Sequence, residues 1–404
     1  SYDNFKVWSV QKAETKEDKA VITNMVASQD EFVKHAAQAQ PGDEVIIQNG
    51  TYSNWSVVVE ANGSKEKPIV IRPETPGGVI FTSDDVLRKP MFIVKGSHID
   101  FDGFTFRNIM LDAHLFTLQA TQSLRFVNND LGSIQGAENI GRMVLLVGKG
   151  ADNVFANNTF HDCENVLVLS VRMRDGGISK RSHIHHNVFK SLNMNQGGEG
   201  TTTVQLASSG RLPYDSLLMQ AVVENNYFEN IMGDAETISN KSNENIIRHN
   251  TFINTRSLVI RQGHNVTVED NVLVNTMGPA IRVYGSGHSV RRNTIRSSKG
   301  DGIALNYGMG SGLEAHTHRV ATTDGRFTDN IIENAGANGI FLGYGKGTDY
   351  SGHKNENKWN TGVLQNIPPS GNVIMGNTIK GSKLSAIETA GATDNIIERN
   401  LISE

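Results

Sequence analysis

The sequence predicts an all-β fold, a single-domain right-handed parallel β-helix with an N-terminal capping helix, on three observations. An asparagine followed two residues later by Phe, Leu or Ile recurs along the chain, from "NNDL" ending at Leu131 through "NNTF", "HNVF" and "HNTF" to "RNLI" ending at Ile402. These asparagines stand at 129, 158, 187, 226, 250, 271, 293, 330, 377 and 400, and their closest spacings are 21 to 24 residues. That beat is too short for most helical repeats and fits one coil of a solenoid, the longer gaps marking loops inserted between coil strands. Short β-rich runs such as "SLVIR", "VTVED" and "AIRVYG" lie between the asparagines, broken by Gly and Asn. Finally, "SQDEFVKHAAQAQPGD" reads as one helix placed before the first strands, where an open solenoid end needs cover.

Taken in order, residues 1–25 form an N-terminal extension with no assigned structure. In the capping helix, Ser28 and Glu31 have capping-box spacing, Phe32, Val33, Ala36 and Ala37 form the expected apolar stripe, and "PGD" ends the element. From there residues 26–404 are read as one β-helix domain, because no linker-like change of composition follows. A side chain repeated once per coil stacks at the strand spacing of about 4.8 Å, so the repeated Asn is read as a hydrogen-bonding ladder and the following Phe/Leu/Ile as core. A β-sandwich or propeller would not keep one Asn per 21 to 24 residues.

Composition narrows the partners. With 404 residues and 38% hydrophobic content the chain can bury a large core, while a formal net charge of -4 argues against a general nucleic-acid or membrane-surface binder. No apolar run is long enough to span a membrane, and the start "SYDNFKVWSV" has no signal-peptide core; beginning at Ser, it is expected to have lost a signal. The single cysteine, Cys163, has no partner for a disulfide and reads as a core thiol.

Charge is uneven along the chain. Between Lys241 and Gly300 there are nine basic residues against three acids, and a smaller cluster, Arg172, Arg174, Lys180 and Arg181, lies earlier. Lys241 and Arg261 are 20 residues apart and Arg261 and Arg282 are 21 apart, which predicts a cationic column on one face, suited to a polyanion. A lysine beside a fixed guanidinium loses basicity and can serve as a general base near neutral pH. That chemistry suits removal of the proton α to a uronate carboxylate followed by β-elimination, whereas hydrolysis would call for two carboxylates flanking the bond.

The run "GDAETISNKSNENIIRHNTFINTRSLVIRQGHNVTVEDN" closely resembles the catalytic segment of polysaccharide lyase family 6, the β-helical alginate lyases and chondroitinase B. Its marks are an acid-x-acid pair, the "NKS" lysine, "NTF", and an arginine on the next coil; "GPAIRVYGSGHSVRRN" and "AQAQPGDEVIIQNGTY" add to the likeness, which runs from about residue 26 to 310. The resemblance implies that Lys241 is the Brønsted base and Arg261 the second catalytic residue. It also implies a calcium ion that neutralises the uronate carboxylate, held by Asp234, Glu236 and an earlier ligand within "NQGGEGTTTVQL", where Gln196 or Glu199 is nearest. This sequence departs from the family in having Asp at 234, an altered third ligand, and Gln262 in place of the histidine after the arginine, with His264 two residues on. Those departures equally allow a calcium-independent site in which Arg or Gln side chains neutralise the carboxylate.

Arg282 and Tyr284 are read as binding the next sugar, with Gln262, His264 and Arg172 as further substrate contacts. His288 is read as a turn residue, and His183 and His185 as surface histidines on one strand face. The expectation is therefore a secreted or periplasmic, monomeric bacterial lyase of an acidic polysaccharide, alginate foremost, with dermatan, chondroitin or pectate as other substrates. A non-catalytic β-helical adhesin would share the fold and basic face, but would have no reason to set Lys241 one coil from Arg261. A polygalacturonase-type hydrolase would need central aspartates, and the adjacent pair Asp84 and Asp85 lies far too early.

Overall fold

The repeat closes into coils of three strands. In the computed structural model, residues 22–137, 141–193, 201–207, 217–309, 319–349 and 364–404 are described. Three long parallel sheets, of fourteen, fifteen and twelve strands among these residues, run the length of the molecule, each strand pairing with its counterpart one coil away. The chain is thus a parallel β-helix, as the asparagine beat predicts.

All ten predicted asparagines form one continuous ladder. Asn129 Nδ2 donates to Asn158 Oδ1 (3.1 Å), Asn250 to Asn271 (3.0 Å), and so on to Asn377 and Asn400 (2.9 Å). The three longest gaps in the beat are bridged like the rest: Asn187 to Asn226, Asn293 to Asn330 and Asn330 to Asn377 are each hydrogen-bonded neighbours. Inserted residues therefore leave the ladder's register intact. Two residues on, the side chains point inward, and Phe160, Phe189, Phe228 and Phe252 stack face to face with centroids 4.6 to 5.1 Å apart.

Each ladder asparagine is preceded by a residue in the left-handed region, from Asn128 (φ 56°) and His249 (φ 53°) to Arg399 (φ 55°). This corner explains the dipeptides NN, HN, DN and GN, since Asn, Asp, His and Gly tolerate that conformation best.

At the N-terminal end the strand Thr23–Val26 pairs with Glu44–Ile47, and the helix Gln29–Gln38 follows Ser28. Ser28 Oγ accepts from the Glu31 N–H while Glu31 Oε2 accepts from the Ala27 N–H, a reciprocal cap. The helix buries Phe32 and Ala36 but leaves Val33 and Ala37 exposed. The buried face is narrower than the expected stripe: Phe32 packs against Trp55 and Phe92, on successive coils, while Val33 and Ala37 face away. Cys163 is buried, and burial pushes its thiol up to about 12, as suits a core residue.

Candidate active site

The chemistry gathers on the outer face of the twelve-stranded sheet, where strands Val166–Arg172, Val204–Leu206, Glu236–Lys241, Ser257–Gln262, Ile281–Val283 and Ile303–Asn306 lie in sequence. In "ISNKS", Ile238, Asn240 and Ser242 are buried, so Lys241 must point the other way. The inward side chains lock the strand's end. Asn240 Nδ2 donates to the Ser242 and Gln262 carbonyls (2.8 and 3.0 Å), and Asn245 Nδ2 donates to Asn240 Oδ1 and Ser242 Oγ (2.7 and 2.8 Å). The "NKS" triplet is thus a lysine bracketed by two buried anchors.

Register explains the 20-residue spacing. Asn240 pairs with Ile260, but Lys241 pairs with Gln262, so a bulge skips Arg261 and leaves its side chain unopposed beside the lysine. Arg282 does not stand directly above Arg261. It pairs with Val259, and the residue above Arg261 is Tyr284, since Ile260 pairs with Val283. The expected cationic column is in fact two columns: Lys241, Arg261 and Tyr284 in one, with Arg282 beside it. Arg261 Nη1 donates to the Tyr284 hydroxyl at 3.4 Å, and the Arg261 and Arg282 guanidinium carbons lie 5.3 and 5.9 Å from the Tyr284 ring centre. Arg282 reaches back two coils to donate from Nη2 to Glu236 Oε1 at 2.9 Å, and Arg261 Nε lies 3.9 Å from the same oxygen.

These groups, with Asp234 and Glu236 beside Lys241, Arg261, Arg282 and Tyr284, line a cavity of about 420 Å³. Burial pushes the Lys241 ammonium below the ordinary lysine value; Glu236 opposes that, Arg261 adds to it, and Asp234 and Arg172 act more weakly in their respective directions. The sequence argument assigned the shift to the neighbouring arginine, but loss of water is the larger cause. Burial also works against the charge of Arg282, yet Tyr284, Glu236 and Tyr344 outweigh it and hold its pKa above the usual value.

The other sequence-derived residues fall outside the cavity lining. Gln262 is buried and its carbonyl accepts from Asn240, while the His264 N–H donates to Asn243 Oδ1. Arg172 lies two coils toward the N-terminus, its buried Nε–H without a hydrogen-bond partner, and extends the cationic strip toward Arg142, beside which burial keeps His114 neutral. His288 is fully buried, Nδ1 accepting from the Val266 N–H and Nε2 donating to the Tyr284 carbonyl, so it fixes the turn after Tyr284. His183 and His185 share an outer face of the fourteen-stranded sheet, where His183 contacts Glu224 at 2.8 Å. The basic surplus of residues 241–300 is divided among faces: Arg248, Arg291, Arg292 and Arg296 pair with acids away from the cavity.

Sequence reasoning missed Gln205, Arg319, Tyr344 and Gln365, all of which line the cavity. Gln205 was legible in principle, since it stands in "TTTVQL" one coil before Ser239 and pairs with it. Arg319, Tyr344 and Gln365 flank insertions of irregular length, so no period locates them.

Glu199 and Gln196, candidate third calcium ligands, lie outside the described residues. Among the described residues no three acidic, histidine or cysteine side chains converge to hold a metal. Of the two carboxylates in the cavity, Glu236 already accepts from Arg282, and Gln205 Oε1 accepts from Ser170 Oγ at 3.0 Å. Among the described residues, a donor set whose central carboxylate carries a guanidinium does not fit calcium, which takes six to eight oxygens.

Residues 26–324 match the family model of chondroitinase B, and residues 279–404 match that of the right-handed β-helix region. A polysaccharide lyase of family 6 from Pseudopedobacter saltans is 21% identical, with 94% of this chain and 92% of that one covered at a TM-score of 0.68. A mannuronic-acid-specific family 6 lyase from human gut microbiota is 20% identical over 91% of this chain and 82% of its own, TM-score 0.69. The family 6 alginate lyase AlyGC is 22% identical, TM-score 0.69; the match covers 94% of this chain and 51% of AlyGC. No curated protein sequence matches the chain. A right-handed β-helix carrying a charged cavity on one outer sheet defines a class of polysaccharide-processing solenoids. Within it, this chain belongs to the chondroitinase B family, in polysaccharide lyase family 6.

Proposed function

We propose that the chain cleaves alginate by β-elimination, with Lys241 as the base. The observation that carries this reading is a lysine whose ammonium form is disfavoured by burial, set in a cavity with three guanidinium groups and two phenols. Lys241 Nζ takes the proton from C5 of the uronate, the electron pair forms the C4–C5 double bond, and the C4–O4 bond breaks. The leaving oxygen takes its proton from the Tyr284 hydroxyl, which Arg261 orients through its hydrogen bond. Arg261 thereby also offsets the charge that develops on the carboxylate.

Alginate is preferred because the lyases AlyGC and the gut mannuronic-acid-specific enzyme share this fold, and because a cationic strip from Arg142 past Arg172 to Arg282 suits a polymer with a carboxylate on every sugar. The same reading takes the enzyme to be a monomer acting outside the cytoplasm, where such a polymer is met. Appearance of ultraviolet absorbance from unsaturated uronate tests it, with alginate, polymannuronate, polyguluronate, pectate and dermatan sulfate as substrates. A rise on alginate with Lys241→Ala inactive is expected. Silence on all five would end the lyase reading, a rise on dermatan sulfate alone would move the substrate, and full activity in Lys241→Ala would remove the lysine from the mechanism.

A further inference from the structure

We propose that Arg282 is a built-in counter-charge, so that the site neutralises the substrate carboxylate without a bound metal ion. The inference rests on the lyase reading of the same cavity and adds which group does the neutralising. Glu236, on the coil of the base, holds Arg282 across two coils at 2.9 Å, which fixes the guanidinium in the cavity. Its Nε–H is buried with no hydrogen-bond partner, an unmet donor in a cavity otherwise furnished for an anion. Flanking rings of Tyr284 and Tyr344, 5.9 and 5.6 Å from the guanidinium carbon, restrict its swing. A planar fork with a free N–H matches a carboxylate's geometry, as a hydrated ammonium would not.

Charge favours the same conclusion. Lys241, Arg261, Arg282 and Arg319 line the cavity against the two carboxylates Asp234 and Glu236. A divalent cation seated on Glu236 would stand against Arg282 and within reach of Arg261, so like charges would have to be driven apart first. The substrate's carboxylate, by contrast, enters where positive charge is in surplus and one donor is unmet.

The test combines metal binding with turnover. Wild-type protein stripped with a chelator should keep its full β-elimination rate, and its melting temperature should not move with millimolar calcium. Arg282→Ala should lose on the order of 100-fold in kcat/KM, the scale for removing one charge-stabilising donor. With Glu236 then released beside Asp234, its melting temperature should rise with calcium. Arg282→Lys, which keeps charge but not the fork, should recover only part of the rate and show no calcium response. Loss of wild-type activity on chelation with rescue by calcium, or calorimetric calcium binding by the wild type, would overturn the proposal. If no uronate polymer is cleaved with or without calcium, the lyase reading fails, and the melting response of wild type against Arg282→Ala still decides whether Arg282 holds the cation's place.

Discussion

At the residue scale, Lys241 sets the pH behaviour. Its folded-state pKa lies below the ordinary 10.5, so the neutral base becomes available at lower pH than for a free lysine. We expect kcat/KM to rise with pH along a limb centred below 10.5. Arg172→Gln should move that limb upward, since it removes a like charge, and a limb unmoved or lowered would show that Arg172 has no electrostatic reach to the base. The same shift costs stability at neutral pH, because the unfolded chain holds the proton more tightly there. Lys241→Met should therefore be inactive and yet melt at a higher temperature, the trade expected of a side chain kept for chemistry.

Two histidines work in the opposite pH range. Burial holds His288 and His114 down to about 4, so both are neutral in the fold while the unfolded chain protonates near the usual histidine value of 6.5. Stability should fall as pH drops from 6.5 toward 4 and then level off from this source. For His288 the full effect is about 3 kcal/mol. Thermal melts from pH 7 to 4 should show the loss, and His288→Gln should remove about half of it, the part from His114 remaining. Lys241 and Arg261 were legible in the linear text because a short motif and a one-coil spacing marked them. Tyr284's place above Arg261 was not, because the coil between these strands takes 23 residues rather than the 21 that the spacing of Arg261 and Arg282 suggested, and no composition rule announces the added length.

At the scale of the element, the asparagine ladder distributes its load unevenly. Asn250 Nδ2 donates to the Val223 and Arg248 carbonyls and to Asn271, and its Oδ1 accepts from both the N–H and Nδ2 of Asn226. Asn250→Ala would leave several of these groups buried without partners, at a cost of roughly 3–5 kcal/mol from the usual penalty per unmet group. Asn400, partly exposed at the last coil, should cost far less, and denaturant titration of the two variants should separate them. Arg399 occupies a left-handed corner with φ 55° and only a 3.9 Å contact to Glu398. Arg399→Gly should stabilise by about 0.5–1 kcal/mol through relief of that conformation. Here the sequence was at its most readable, since the ladder, its period and the inward Phe/Leu/Ile all follow from one repeated triplet.

At the scale of the whole molecule, the two ends are built differently. The first coils are closed by the helix Gln29–Gln38, whose Phe32 is part of a continuous aromatic cluster with Trp55, Phe81 and Phe92. Phe32→Ala should cost about 3–5 kcal/mol, and hydrogen exchange should show the loss beginning in the N-terminal coils rather than at the cavity. The final described strands, by contrast, leave Leu401 and Ile402 more than half exposed. The distribution of charge was the least legible property at this scale. One segment's arginines are dealt to three faces by a period of three strands per coil, and acids such as Glu224 and Glu333 that pair with Arg248 and Arg296 come from neighbouring coils.

The unbroken ladder across gaps of 39, 37 and 47 residues carries a consequence for inheritance. Because each rung finds its neighbour whatever the length of chain between them, insertions and deletions at those corners are nearly invisible to folding while altering the walls beside the cavity. Arg319, Tyr344 and Gln365, at the edges of such gaps, line the cavity, so lengthening or trimming those segments is expected to reshape its wall while leaving Lys241 and its partners where they stand.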